Sequence, residues 1–336
     1  MNDSSDLPSP VVAASATTTA AKSKWNTFGW PVIGFLVAAF CLLLLVNELR
    51  SLSWVEVAAS LGRVPPLHWL GAIGGATLAY AALAGYDRIA LIHLGRKISW
   101  PFIALASFVA YALSHNIGAA IFSGAVVRYR IYSTKGLSVA EVGVLVALCA
   151  FTFVLGIIIL GGLVLVTQPH LAQRYVAVPE WLARLGGLAM LAFVILYGIG
   201  SLFQLKPLVI RGFSIFYPKP DIVLRQFLIG PMELLGAAAI IYFCLPVEGN
   251  PGYIVVLGIF LASFSLAIFS HAPGGLGVLE LLFVAGLRDV PAPDVVAALI
   301  VFRLFYLVIP LAISFVVVLV FERQQLIKAR NAEPQP

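Results

Sequence analysis

Eight stretches of this 336-residue chain, near 28–49, 67–95, 101–127, 139–167, 184–203, 223–245, 252–287 and 293–321, are apolar over roughly the 20 residues a helix needs to cross a bilayer. Inside hydrocarbon no water is present to satisfy backbone N–H and C=O groups, so such runs form helices. Composition agrees: 61% of residues are hydrophobic, 11% are charged and mean hydropathy is +1.01. A soluble domain carries about 25% charged residues. The expected fold class is therefore an all-α polytopic membrane protein. Residues 1–27 form a Ser-, Thr-, Ala- and Pro-rich tail expected to be disordered, and 324–336 a second polar tail. The first apolar run is followed by Asn47-Glu48-Leu49-Arg50 without a small-residue cleavage site, so it reads as a retained helix and not a signal peptide. Between the first two runs, Ser51–Gly62 reads as a short interfacial helix.

Within these runs lies an internal repeat. Ala106-Ser107-Phe108, Ser114-His115 and Gly118 recur without a gap as Ala262-Ser263-Phe264, Ser270-His271 and Gly274, an offset of 156 residues. Both copies fall where a long apolar run is broken by helix-disfavouring residues. The offset maps the first four apolar segments onto the last four, which predicts membrane repeats at 28–167 and 184–323 joined by a loop at 168–183. Paired halves with broken helices are the mark of many transporters, whose sites lie at the breaks.

The basic residues test the topology. With eight crossings and a cytoplasmic N-terminus, each side holds ten Lys/Arg. If segments three and seven instead dip in and return, the inside holds fifteen and the outside five, with Arg303 inside the last segment left out. The positive-inside rule prefers the second arrangement. It gives two inverted halves, with segments three and seven re-entrant from opposite faces and both termini cytoplasmic. Ordinary kinked spans remain the alternative.

The second break, His271-Ala272-Pro273-Gly274-Gly275-Leu276-Gly277-Val278-Leu279-Glu280, frees backbone groups to meet a polar ligand, and a helix restarting at Val278 points its positive end there. A packing turn would use the same glycines. Beyond the first break, which holds Asn116 and Gly118, come Arg128, Arg130 and Lys135, interleaved with Tyr129 and Tyr132. This cluster is expected at the cytoplasmic surface, admitting a phospholipid headgroup through Arg–phosphate contacts or simply enforcing topology.

Three motifs carry a family resemblance: Pro273-Gly274-Gly275-Leu276-Gly277-Val278 with Glu280, Gly124–Ser133 with Gly136-Leu137-Ser138, and Arg303-Leu304-Phe305-Tyr306 with Pro310. Together they resemble the lysylphosphatidylglycerol synthase transmembrane family, which includes the lipid-flippase portion of the multiple peptide resistance factor. The resemblance implies a bacterial inner-membrane protein that moves or binds a phospholipid or other polar lipid between leaflets. The chain ends about 15 residues after its last apolar run, so the family's aminoacyl-transfer domain is not expected here and the protein does not read as an enzyme.

Charge in hydrocarbon is costly, and this singles out Asp87, Arg88, Glu233, Glu280 and Arg303 as structural or gating groups. Arg303 is expected to pair with Glu280 or Glu233, either as structural glue or as a gate opened by a competing headgroup. Tyr306 joins the expected lipid site through its motif. The repeat-related His115 and His271 suit either a proton relay or hydrogen bonds to freed backbone. Cys41, Cys149 and Cys244 lie in apolar segments without paired spacing and read as small core residues. No nucleotide-binding loop, nucleophile elbow or zinc motif appears, so neither cofactor nor metal is expected, and scattered basic residues exclude a nucleic-acid footprint. The expected partners are membrane phospholipids. The alternative reading is a non-transporting accessory protein that supports a lipid- or envelope-synthesising enzyme.

Overall fold

The computed structural model describes residues 54–117, 120–204, 208–210, 213–215, 218–270 and 275–332. The first apolar segment and the N-terminal tail lie outside them. In chain order the helices are α1 (Trp54–Gly62), α2 (Pro66–His93), α3 (Trp100–Ile117), α4 (Ala120–Tyr132), α5 (Val139–Thr167), α6 (Glu180–Leu202), α7 (Pro220–Cys244), α8 (Tyr253–Phe269), α9 (Val278–Gly286), α10 (Ala292–Arg303) and α11 (Ile309–Ala332). A π-helical turn, Leu304–Val308, joins α10 to α11. The all-α expectation is modified only by a small antiparallel hairpin that pairs β1 (Leu208–Ile210) with β2 (Phe213–Ile215) between α6 and α7.

Five helical stretches are long and apolar enough to cross a membrane: α2, α5, α6, α7 and Ala292–Phe321. They correspond to predicted segments two, four, five, six and eight. The expected short helix after residue 50 is present as α1, tied down by Arg63 Nη2 at 2.5 Å from Asp294 Oδ1. Proline marks several starts where an amide would be unpaired anyway, at the first turn of α2, α7 and α10. The start of α5 is set differently. Ser138 accepts a bond from the Glu141 amide while Glu141 returns one to the Ser138 amide, a reciprocal cap.

Segments three and seven are each two helices folded back on one another. In the first, Gly124 lies beside Ser114, the Arg128 guanidinium sits 4.3 Å from the Tyr111 ring centroid, and Lys135 lies over Phe102 at 4.8 Å. Each pair straddles the α3–α4 break almost symmetrically, as only an antiparallel helical hairpin allows. In the second, Gly275 meets Ala267 and Gly286 meets Ile259, again on either side of the break.

The two hairpins open toward opposite ends of the bundle. Arg96, just before α3, pairs with Glu141 in the first turn of α5 at 2.6 Å, so the chain enters and leaves the first hairpin at one end. The far end of α5 lies beside the open end of the second hairpin. There Val164 and Leu171 crowd Gly258, and Arg174 donates to the Gly286 carbonyl at 2.6 Å. Between these ends α5 spans 29 residues, about 43 Å of helix.

Helix α7 is the hub. It runs antiparallel to α2, with His68 Nδ1 3.0 Å from the Phe243 carbonyl near one end and the Tyr86 hydroxyl donating to the Gly230 carbonyl at 2.7 Å near the other. Between them Gly75 and Gly236 bring the two backbones together: a Cβ built on Gly236 would stand 2.5 Å from the Gly75 carbonyl oxygen. Against α5 it runs parallel, with the Gln226 amide donating to Thr152 Oγ1 at 3.1 Å and Gly156 seated on the Gly230 carbonyl one turn later. Small residues permit this approach, which maximises packing where burial from water is not the driving force.

Gly236→Val should lower stability by roughly 1–3 kcal/mol or more through overpacking, whereas Gly143→Val on an open face should not. Thermal unfolding of the detergent-solubilised protein, followed through its tryptophans, checks the contrast.

Candidate functional site

Four carboxyl groups are buried among the described residues; Asp294 pairs with Arg63 beside α1, and the other three are each answered differently. Asp87 of α2 is fully buried and receives Arg128 of α4, with Nε at 3.2 and 3.3 Å from its two oxygens and Nη2 at 3.0 Å from Oδ1. The Tyr132 hydroxyl adds a bond at 3.0 Å to Oδ2, and the Cys149 thiol approaches Oδ1 at 3.4 Å. With the Tyr111 ring over the guanidinium, both charges are enclosed by protein. Such a pair is worth little net, but breaking it strands a buried charge.

The expected basic surface cluster is therefore divided. Arg128 and Tyr132 are four residues apart, share one face of α4 and point inward. Tyr129, Arg130 and Lys135 are exposed on the other side. The Arg128–Asp87 pairing was not read from the sequence, although this four-residue spacing was its signal. Arg88, next to the buried Asp87, is exposed and lies over Trp100 at 5.1 Å.

Glu280 caps its own helix and holds Arg303. Its Oε2 accepts the Gly277 amide at 2.9 Å, and Oε1 accepts from the Arg303 guanidinium. Gly275 and Gly277 adopt φ of +65° and +79°, a region glycine enters without strain, and this turns the chain into α9 so that Glu280 sits three residues in. Of the two partners expected for Arg303, the structure selects Glu280. This pair is more accessible than the Asp87 pair, with 18% and 11% side-chain exposure against 4% and 0%.

Glu233 of α7 accepts the Tyr306 hydroxyl instead. Tyr306 is the focus of the centre. It stacks on Phe302 and on His115 of the first hairpin, with ring centroids 5.1 and 5.2 Å apart, and meets Phe264 of the second hairpin edge-on at 6.4 Å. The π-helical turn misaligns the regular bonding ladder, and two side chains use its carbonyls. Tyr80 donates to the Tyr306 carbonyl at 2.9 Å, and Asn116 reaches the Leu307 carbonyl at 3.3 Å. Sequence reasoning gave Tyr80 no role, and an aromatic inside an apolar run carries no signal of one.

His115 stacks on Tyr306, and its Nδ1 has no hydrogen-bond partner among the described residues. Gly118, His271, Pro273 and Gly274 lie outside them. Cys149 and Cys244 are buried free thiols, as expected. Among the described residues no group of His, Cys, Asp and Glu could hold a metal ion.

Several apolar helices of membrane-spanning length around paired deep charges define a multi-pass membrane protein. Residues 32–314 match the family model for the lysylphosphatidylglycerol synthase TM region, and the chain belongs to that family. It is 27% identical over 304 residues to the inner membrane protein YbhN of Escherichia coli, covering 89% of this chain and 95% of that one. It is 28% identical over 266 residues to uncharacterized protein slr0712 of Synechocystis, covering 79% and 83%. It is also 23% identical over 287 residues to a phosphatidylglycerol lysyltransferase of Staphylococcus aureus, covering 82% of this chain but only 32% of that longer protein.

Arg128→Ala should destabilise the fold by about 3–5 kcal/mol, because it leaves Asp87 buried without its partner. The double change Arg128→Met with Asp87→Leu should recover much of that loss. Denaturation midpoints of the single and double variants measure the coupling.

Proposed function

We propose that the protein is an inner-membrane lipid transporter with both termini cytoplasmic. In this reading it passes a phospholipid or other polar lipid between leaflets by alternating exposure of its centre between two inverted halves. One observation carries the reading: two helical hairpins open toward opposite ends of the bundle, and side chains near their tips meet at one aromatic and charged centre. The family membership makes a lipid the natural substrate class. The antiparallel course of α2 and α7, repeat-related by the 156-residue offset, is what inverted halves would have, and supports re-entry of the hairpins from opposite membrane faces.

Arg303 is the group for the headgroup. Its guanidinium suits bidentate contact with phosphate, and of the two deep Arg–carboxylate pairs its own is the more reachable. An arriving phosphate competes with Glu280 for Arg303. Because Glu280 also caps α9 at Gly277, that competition loosens the second hairpin at its tip. Asp87–Arg128 instead holds the first hairpin to α2, a structural role that replaces headgroup capture by Arg128.

Purified protein in liposomes should move labelled phospholipid between leaflets faster than protein-free vesicles, read by quenching of outer-leaflet label. Arg303→Ala should cut the rate at least tenfold while the protein stays folded. Absence of exchange for every native lipid class would favour the accessory role. Topology has its own check. In a cysteine-free background, Ser138→Cys should react with an impermeant thiol reagent from the cytoplasmic face and Asp289→Cys from the other.

A further inference from the structure

Two apolar grooves on the outside of the bundle are related by the 156-residue offset. The first, about 240 Å³, lies between the first hairpin and α11; the second, about 330 Å³, lies between α8 and α5, with Tyr175 among its lining residues. Both are open to the surrounding hydrocarbon, where Leu105 and Val126 of the first and Leu266 of the second are exposed. On α3 the first groove is lined by Phe102, Leu105, Ala106 and Val109, and 156 positions on, Gly258, Leu261, Ala262 and Ser265 of α8 line the second. The facing walls keep the same offset, Gly161 and Leu165 of α5 answering Val317 and Phe321 of α11. Six matched positions mark these grooves as built features and not packing defects.

Dimensions and charge say what the first groove holds. From Phe102 to Leu113 it runs about 16 Å along α3, half the depth of a bilayer core of about 30 Å. Spread over that length, its volume leaves a cross-section of about 15 Å², suited to one hydrocarbon chain and too narrow for a helix about 10 Å across. A lipid tail is as apolar as the lining and gains little by entering, so any preference comes from the headgroup. At the hairpin's open end Arg130 lines the groove, Lys135 lies over Phe102, and Arg88 and Lys97 are exposed. On the helices packed against the hairpin, Asp87 and Glu141 are already held by Arg128 and Arg96, and α11 sets Glu322 beside Arg323. The excess charge at this rim is positive. None of the residues lining the second groove is charged.

We propose that the groove between the first hairpin and α11 binds one acyl chain of an anionic phospholipid, whose phosphate is held at the rim by Arg130 and Lys135. The guanidinium meets the phosphate oxygens in bidentate fashion, and the ammonium adds a second positive charge. The site is separate from the Arg303 centre and static, so it goes beyond the transport reading and does not depend on it. Its repeat counterpart accepts a chain of the same kind but has no charge with which to select the headgroup.

Native mass spectrometry of the full chain, released from vesicles of equal parts phosphatidylglycerol and phosphatidylcholine, tests the site without any transport. The wild type should retain phosphatidylglycerol in preference to phosphatidylcholine. Each basic group near a membrane surface is worth roughly a fivefold gain in anionic-lipid binding, so Arg130→Gln should lower that preference about fivefold. Leu105→Trp, at the lipid-facing rim where the fold has room for it, should fill the groove and reduce retention itself. Melting temperatures check that both variants fold, and if Leu105→Trp does not, the exposed Arg130→Gln decides. Equal retention of the two lipids by the wild type, an unchanged preference in Arg130→Gln, or undiminished retention in a folded Leu105→Trp overturns the proposal. A lipid-free dimer closed over the groove overturns it too. The two ideas fail separately: selective retention without leaflet exchange removes the transport reading and leaves the groove, and exchange without selective retention does the reverse.

Discussion

The close approach of α7 to two partners at once sets the rest of the molecule. At Gly236 its backbone meets that of α2, and at Gly230 that of α5, with no room for a side chain at either point. The first contact is antiparallel and the second parallel, so α2 and α5 run in opposite directions. Whatever joins them must therefore return to the end it left. Segment three meets that demand by breaking after α3 and doubling back as α4, and the Arg96–Glu141 pair closes the loop at its mouth. The break answers a constraint imposed by packing elsewhere.

Broken backbone at membrane depth is tolerable only when protein covers it. Here each hairpin lies against a long helix and brings polar groups to the cover. Asp87 of α2 secures Arg128 of the first hairpin, and Arg303 at the end of α10 secures Glu280 of the second. The pairs look alike chemically but differ in access. The first is enclosed and structural; the second keeps some exposure at the point where a hairpin tip is capped. Glu233 is a third case, buried against the Tyr306 phenol.

The π-helical turn after Arg303 is a local irregularity with a global use. It lets Tyr80 and Asn116 reach main-chain carbonyls at 304–308 and sets the Tyr306 ring between His115 and Phe302. One residue therefore links α7, the last membrane stretch and both hairpins.

Much of this architecture was legible in the sequence, because apolar run length and Lys/Arg distribution are physical properties of the chain itself. Apolar length located the spanning helices, and the charge count favoured segments three and seven returning to the side they entered over ordinary kinked spans; of this the structure shows the fold-back of each segment on itself. Deep charge required a carboxylate partner for Arg303 and left Glu280 and Glu233 as the two choices, since an unpaired charge is not tolerable there. Partner choice among equals was not legible. The sequence by itself determined that Asp87, Glu233 and Glu280 must be answered, through the cost of charge in hydrocarbon. Only the tertiary structure decided which helix answers each: Arg128 turns inward because α4 folds back along α2, and Tyr306 reaches Glu233 because the π-helical turn lies against α7. Long-range packing makes those choices, and no local pattern encodes them.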